Sequence, residues 1–278
     1  MKTSILYIFT RTPLHIGAGA SVGAIDQPIV RERHTGFPII PGSALKGVLA
    51  DRYLAEDRKA RSEVGRRIFG HENSDDENAK SGSVSFGEAK LLAFPVRSAK
   101  GCFAWIISRL PLERWSRDSG VPLNDLAWPE AMDVYADEAT LAHERKVVLE
   151  EYQFDFKGSF VPPEKFRGLL AGKDTTWSAL FPKHLCLVSD DMMAHFARNA
   201  CEVSQHVRIN DESGTAADQA LFNQENVPAE TLFYAVLHEL RADCFRELQV
   251  PCVIQIGGDG TTGLGYCTTD LLVKEEQQ

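Results

Sequence analysis

Residues 3–9 alternate about a hydrophobic face carried by Ile5, Tyr7 and Phe9, the period of a half-buried strand, and Pro13 ends the run. A glycine-rich stretch follows at 17–23, too permissive for a helix interior. Leu45, Val48, Leu49 and Tyr53 then recur at helical spacing, with Ser43 as the expected N-cap. Val64 and Ile68 mark a second short helix that Gly70 stops. Residues 72–78 read as a solvated acidic loop. Strands are expected over 82–94 and 101–108, while 110–143, with Pro111, Pro122 and Pro129, follows no clear period. Residues 145–156 alternate again. Further on, 184–188 reads as a short strand, Asp190 as the cap of a helix through Met193 and Phe196, and 203–209 as extended. Residues 210–214 form a turn-rich tip. Strands at 231–238 and 251–256 precede a second glycine loop, 257–265, and a last strand ending near Val273. Strands and helices are interspersed without a βαβ repeat, which predicts an α+β chain with a ferredoxin-like core carrying insertions.

Composition narrows the class. The 278 residues are 44% hydrophobic and 25% charged, ordinary for a globular protein and enough to bury a core. No apolar run approaches the length of a membrane span, and the N-terminal segment alternates as a strand rather than as a signal peptide. The six cysteines contain no C-x-x-C pair and read as buried thiols of a cytoplasmic protein. Net charge is −9, which argues against a generic basic nucleic-acid binder. The charge is uneven, however. The first 70 residues hold 11 Lys and Arg against 6 Asp and Glu, leaving −14 over the other 208. A local basic face on an acidic body can still grip a phosphate backbone, because the relevant field acts within a Debye length of ~8 Å.

The candidate chemistry is sparse. Each glycine loop follows a strand, and backbone N–H groups in such loops can cradle phosphates. Neither is a P-loop, and Gly17-x-Gly19 with Gly23 is a poor dinucleotide fingerprint. Each loop alone reads best as a turn. Two of them in one acidic chain, the first abutting Arg31 and Arg33, favour recognition of a nucleic-acid backbone. Asp26 lies between the first glycine stretch and this basic run. A lone loop aspartate is most often a turn residue, but here it can also hold a hydrated Mg²⁺ or orient a hydroxyl. His15 precedes the glycines as either a proton shuttle or a packing histidine. Lys46, expected near a helix start, opposes the helix dipole and hints at an anion partner. The other histidines show no ligand spacing, and no G-x-S-x-G elbow is present.

Three segments carry a resemblance. Leu14-His15-Ile16-Gly17-Ala18-Gly19, the run from Gly23 through Asp26 and Arg31-Glu32-Arg33-His34-Thr35-Gly36-Phe37-Pro38, and Ile40-Pro41-Gly42-Ser43-Ala44-Leu45-Lys46-Gly47 resemble the RAMP superfamily of CRISPR proteins. The nearest likeness is to the repeated backbone subunit of the type III-B (Cmr) effector complex. Val207 to Thr215, with Ala220-Leu221-Phe222 and Glu225-x-Val227-Pro228, looks like that family's thumb hairpin, and Gln255 to Gly265 like its C-terminal glycine loop. The likeness covers about 3–50 and 184–273, and leaves 70–180 unmatched.

The resemblance implies a single RAMP domain. Its ferredoxin-like (RRM-like) palm would be built from 1–16, 82–108, 184–202 and 231–278, with helical finger insertions at 17–81 and 109–183 and a β-hairpin thumb at 203–230. It implies copies stacked in a helical filament with other Cmr subunits on a guide RNA, and target RNA cut at regular intervals with a divalent metal, Mg²⁺ or Mn²⁺. The cleaving carboxylate falls on Asp26, which would act as base, metal ligand or positioning group. RNA-binding positions fall on His15, Gly17, Gly19, Arg31, Arg33, Ser43, Lys46, Gly257, Gly258, Gly263 and Gly265. The tip at 210–214 is acidic, so it is not expected to grip phosphate. Three other readings remain open: a non-catalytic RNA-binding scaffold, the type III-A backbone subunit, and an unrelated nucleotide- or cofactor-binding enzyme using the two glycine loops.

Overall fold

The first strand, β1 (Thr3–Thr10), is buried on both faces, not on one. Leu6 and Ile8 enter one hydrophobic cluster, and Ile5, Tyr7 and Phe9 enter a second on the opposite side. The alternation is therefore a division between two cores, as expected of a sheet covered on both faces. The structure, a computed structural model, describes residues 2–19, 23–55, 60–71, 79–123, 126–170, 172–209 and 216–273. The acidic loop at 72–78 and the tip at 210–214 lie outside the described residues.

The strands are β1, β2 (Ile39–Ile40), β3 (Val84–Ser98), β4 (Cys102–Ile107), β5 (Asp133–Ala136), β6 (Lys146–Leu149), β7 (Tyr152–Gly158), β8 (Leu185–Leu187), β9 (Glu202–Ile209), β10 (Ala216–Asn226), β11 (Leu232–Glu239), β12 (Val253–Gln255) and β13 (Tyr266–Val273). The helices are α1 (Gly42–Ala50), α2 (Glu63–Phe69), α3 (Arg109–Ser119), α4 (Glu138–Leu141), α5 (Glu164–Arg167), α6 (Thr175–His184), α7 (Asp190–Asn199) and α8 (Cys244–Glu247). Eleven strands form one mixed sheet in the order β12-β13-β1-β11-β3-β4-β8-β5-β7-β6, with β2 on β3. β9 and β10 form a separate antiparallel pair. The α+β class holds. No described helix is long and apolar enough to cross a membrane.

Local chemistry differs from the sequence reading at five places. Pro41, not Ser43, is the N-cap of α1, and Ser43 is already inside the first turn without a capping bond. Lys46 is the fifth residue of α1, so it does not oppose the dipole at the helix end. Ser189 caps α7 by accepting from Met192 N, whereas Asp190 Oδ1 accepts from Leu110 N (2.8 Å) at the first turn of α3. Residues 145–156 are two strands, because Glu150 takes a left-handed φ of 51° and turns the chain back. Cys186, Cys244 and Cys267 are buried as expected, but Cys102 and Cys252 are exposed.

The buried tryptophans, Trp105, Trp115 and Trp177, lie in the second core. Trp105, Trp177 and Phe9 meet edge to face or tilted, and Trp177 stacks on Phe181 with centroids 3.9 Å apart. Trp105 Nε1 donates to the Glu230 carbonyl (2.6 Å) at the turn joining β10 to β11. There Glu230 adopts φ 67° and lines a cavity of about 650 Å³ with Pro95, Phe103, Cys201 and Pro228. Burial, and secondarily the charge of Asp174, push its carboxyl up to about 7.

Candidate RNA interface

After β1 the chain pairs through Leu14 with Val227, just beyond β10, in both directions (2.8 and 2.9 Å). This places His15 against the root of the β9–β10 hairpin. His15 is 8% exposed, and its Nδ1 lies 2.7 Å from the Glu225 carbonyl. A carbonyl only accepts, so Nδ1 carries the hydrogen of this bond. Nε2 turns toward Gly17, where an added Cβ would lie only 3.1 Å away.

Asp26 is exposed and held by the same hairpin. Its Oδ2 accepts from Asn223 N (2.8 Å), Gln27 N donates to Asn223 O (3.0 Å), and Glu225 N donates to Gln27 O (3.0 Å). His15, Gly17, Gly19, Asp26 and Gln27 line a cavity of about 380 Å³. Four of the sequence candidates thus converge on one opening.

The C-terminal glycine loop abuts it. Gly258 N donates to His15 O (3.0 Å) and Gly265 N to Pro13 O (2.8 Å). Gly257 and Gly265 have φ of 83° and 77°, and an added Cβ would lie 2.1 Å from His15 O and 1.9 Å from Ile256 O respectively. Only glycine fits both positions. The amides of Gly258, Gly263 and Gly265 are already bonded to chain carbonyls. Cradling of phosphate by those three amides, expected from the sequence, is therefore not what the loop provides. It provides close approach of backbone to backbone.

Arg31 turns inward. It pairs with the buried carboxylate of Glu225, donates to Gly36 O (2.8 Å) and Ala197 O (2.7 Å), and reaches Cys201 Sγ (3.3 Å). Glu225 also accepts from Ile29 N (3.1 Å), so the pair ties the 29–31 segment to α7 and β10. Arg33 is exposed at the turn beyond it, Ser43 is exposed on α1, and Lys46 is half-buried there. Beside Arg33, burial alone would raise the Glu32 carboxyl. Hydrogen bonds from Thr35 and Arg114, with Arg114's charge, outweigh burial and hold it below the usual carboxylate range.

Three residues that position this opening, Asn223, Gln224 and Glu225, went unmarked as site residues in the sequence. Asn223 acts through its backbone, and Gln224 and Glu225 sit in a run of four polar residues that no alternation distinguishes from a solvated strand. Among the described residues no group of three His, Cys, Asp or Glu side chains could hold a metal ion. Asp26 supplies one exposed carboxylate. That donor set suits a hydrated cation taking its remaining ligands from water and phosphate, not an all-protein cage.

A family model described as the RAMP superfamily matches residues 8–268, including the stretch from 70 to 180. The chain belongs to the RAMP superfamily. This RAMP protein is 34% identical over 287 residues to the CRISPR system Cmr endoribonuclease Cmr4 of Pyrococcus furiosus, across 98% of the chain and 96% of that relative. A crystal structure of oligomeric Cmr4 from Pyrococcus furiosus superposes with a TM-score of 0.70 at 26% identity, covering 99% of the chain and all of that structure. The CRISPR system Cms endoribonuclease Csm3 of Streptococcus thermophilus is 43% identical, but over only 29% of this RAMP chain and 40% of the relative.

Proposed function

We propose that this chain is the repeating RNA-binding subunit of a type III-B CRISPR effector complex and that it cuts target RNA with Asp26. One observation carries the reading: an exposed carboxylate, fixed by a backbone amide at the root of a projecting hairpin, stands beside a cavity and two abutting glycine loops. The full-length likeness to a Cmr endoribonuclease, against a partial one to a Csm3, favours type III-B over type III-A.

In this reading β1, β3, β11 and β13 belong to a ferredoxin-like palm, the segments around α1 and α3 are fingers, and β9–β10 is the thumb. Copies stack into a filament with the other Cmr subunits along a guide RNA, in the cytoplasm. Gly17, Gly19, Gly258 and Gly263 let an RNA backbone come close, Gly257 and Gly265 seat the loop against the protein's own backbone, and His15, Arg33, Ser43 and Lys46 contact the RNA. Arg31 has a different role: it holds the loop that carries Asp26 by pairing with Glu225.

The chemistry asks little of the protein. A ribose 2′-OH attacks its own phosphodiester only when nucleophile, phosphorus and leaving oxygen are in line, and A-form stacking holds them out of line. A hairpin that splays one nucleotide removes that restraint at an unstacking cost of about a few kcal/mol. Asp26 then orients the hydroxyl or accepts its proton. Asp26 would hold a hydrated Mg²⁺ or Mn²⁺ ion, which would supply positive charge near the phosphate. The guide provides sequence specificity by pairing, so the protein reads shape and backbone.

The test uses the complex assembled on guide RNA. Asp26→Ala is expected to keep guide and target binding and to abolish cutting, and EDTA to stop cutting by the wild-type complex. A complex that binds target RNA but never cuts it, with or without metal, would make the chain a scaffold.

A further inference from the structure

Gln224 sits between the two hairpin residues that hold the candidate site. Its neighbour Asn223 fixes Asp26 and its neighbour Glu225 fixes Gln27 and His15. Gln224 itself is 1% exposed, with its side chain turned away from Asp26 and toward the C-terminal glycine loop. Its Nε2 donates to Asp259 Oδ2 (2.8 Å) and to Asn226 Oδ1 (3.2 Å). A carboxylate only accepts, so chemistry alone settles which end of the amide faces Asp259.

Asp259 is shaped for this contact. It adopts φ 57° at the start of the tight turn Gly260–Thr262, and its backbone carbonyl accepts from Thr262 N (3.0 Å) and Thr262 Oγ1 (2.8 Å). With the main chain committed to the turn, the carboxylate projects to the hairpin. The bond is charge-assisted and ends on a buried amide, the stronger kind of hydrogen bond. It is a side-chain connection running from the glycine loop to the hairpin residues that place Asp26.

We propose that Gln224 and Asp259 are positioning residues for RNA cleavage: their hydrogen bond fixes the C-terminal glycine loop to the hairpin root, so that backbone held on the loop is set in register with the Asp26 carboxylate. Neither touches the reacting atoms. The pair sets the distance between the strip that grips RNA and the group that cuts it. This rests on the reading of Asp26 given above. A misplacement of about 1 Å between gripped strand and cutting group is enough to cost roughly 100-fold in rate.

The experiment measures target cutting and target affinity in complexes assembled with variant subunits. Gln224→Glu sets a second carboxylate against Asp259. Asp259→Gly removes the acceptor from an exposed turn while keeping its left-handed backbone, so the fold survives. Each is expected to lower the cutting rate about 100-fold while RNA affinity stays within about twofold. The paired change Gln224→Glu with Asp259→Asn exchanges acceptor and donor and rebuilds the bond with reversed polarity, and cutting is expected to recover to within about fivefold of wild type. A purely structural role would not show loss of rate without loss of affinity, followed by rescue. Wild-type cutting by Asp259→Gly, or a paired variant no faster than Gln224→Glu, overturns the coupling. Asp26→Ala is assayed alongside: if it still cuts, the reading of Asp26 fails; if it is dead while Asp259→Gly cuts normally, only the coupling fails.

Discussion

At Asp26 position and charge are separable. The carboxylate takes its place from the Asn223 amide, and an amide side chain can accept that same bond. Asp26→Asn therefore keeps the geometry and removes the charge. Its cutting rate is expected to fall by about 100-fold or more, as far as that of Asp26→Ala, with target affinity unchanged. Cutting within about threefold of wild type would leave Asp26 a spacer only. Asp26 and His15 stood out in the sequence as candidates flanking a glycine stretch that runs into basic residues, and the cleaving role proposed for Asp26 came from the family resemblance rather than from that spacing. Asn223 did not stand out, since its contribution is a main-chain N–H that any residue would supply. Arg31 illustrates the reverse: the sequence shows a cation beside glycines, and only the fold shows its guanidinium spent on Glu225 and two carbonyls.

Among elements, the turn from β10 to β11 carries a titration. Glu230, ordinarily near 4.5, is raised to about 7 by burial first and by Asp174 second. Folding thus favours its protonated form. That contribution is whole below about 4.5, declines as pH rises, and is lost above about 7. Glu230→Gln should flatten the stability profile across this window and exceed wild type at pH 8, as read by thermal melting against pH. A wild-type profile equally flat between those values would remove Glu230 as the cause. Element types were legible where the pattern had a single cause, as in α2 with its Val64 and Ile68 spacing and Gly70 stop. They were misread where two causes overlap. The alternation of β1 looks one-sided until both faces are seen to be packed, and the period of 145–156 hides the reversal at Glu150.

Over the whole molecule, a net charge of −9 coexists with an excess of five positive charges in the first 70 residues. RNA affinity should therefore fall with salt even though the protein is acidic, because the counterions released are those displaced by a local strip. Lys46→Ala in the assembled complex is expected to weaken guide binding at every sequence and to reduce the slope of log affinity against log salt by about one. An unchanged slope would take Lys46 out of the contact set. The indole N–H of Trp105, meanwhile, is anchored to the Glu230 carbonyl where the hairpin leaves the sheet. A swing of the hairpin that carried Glu230 with it would break that anchor. The anchor would then serve as an optical reporter: displacement of Glu230 on RNA binding is expected to change the emission difference between wild type and Trp105→Phe, with no dye attached.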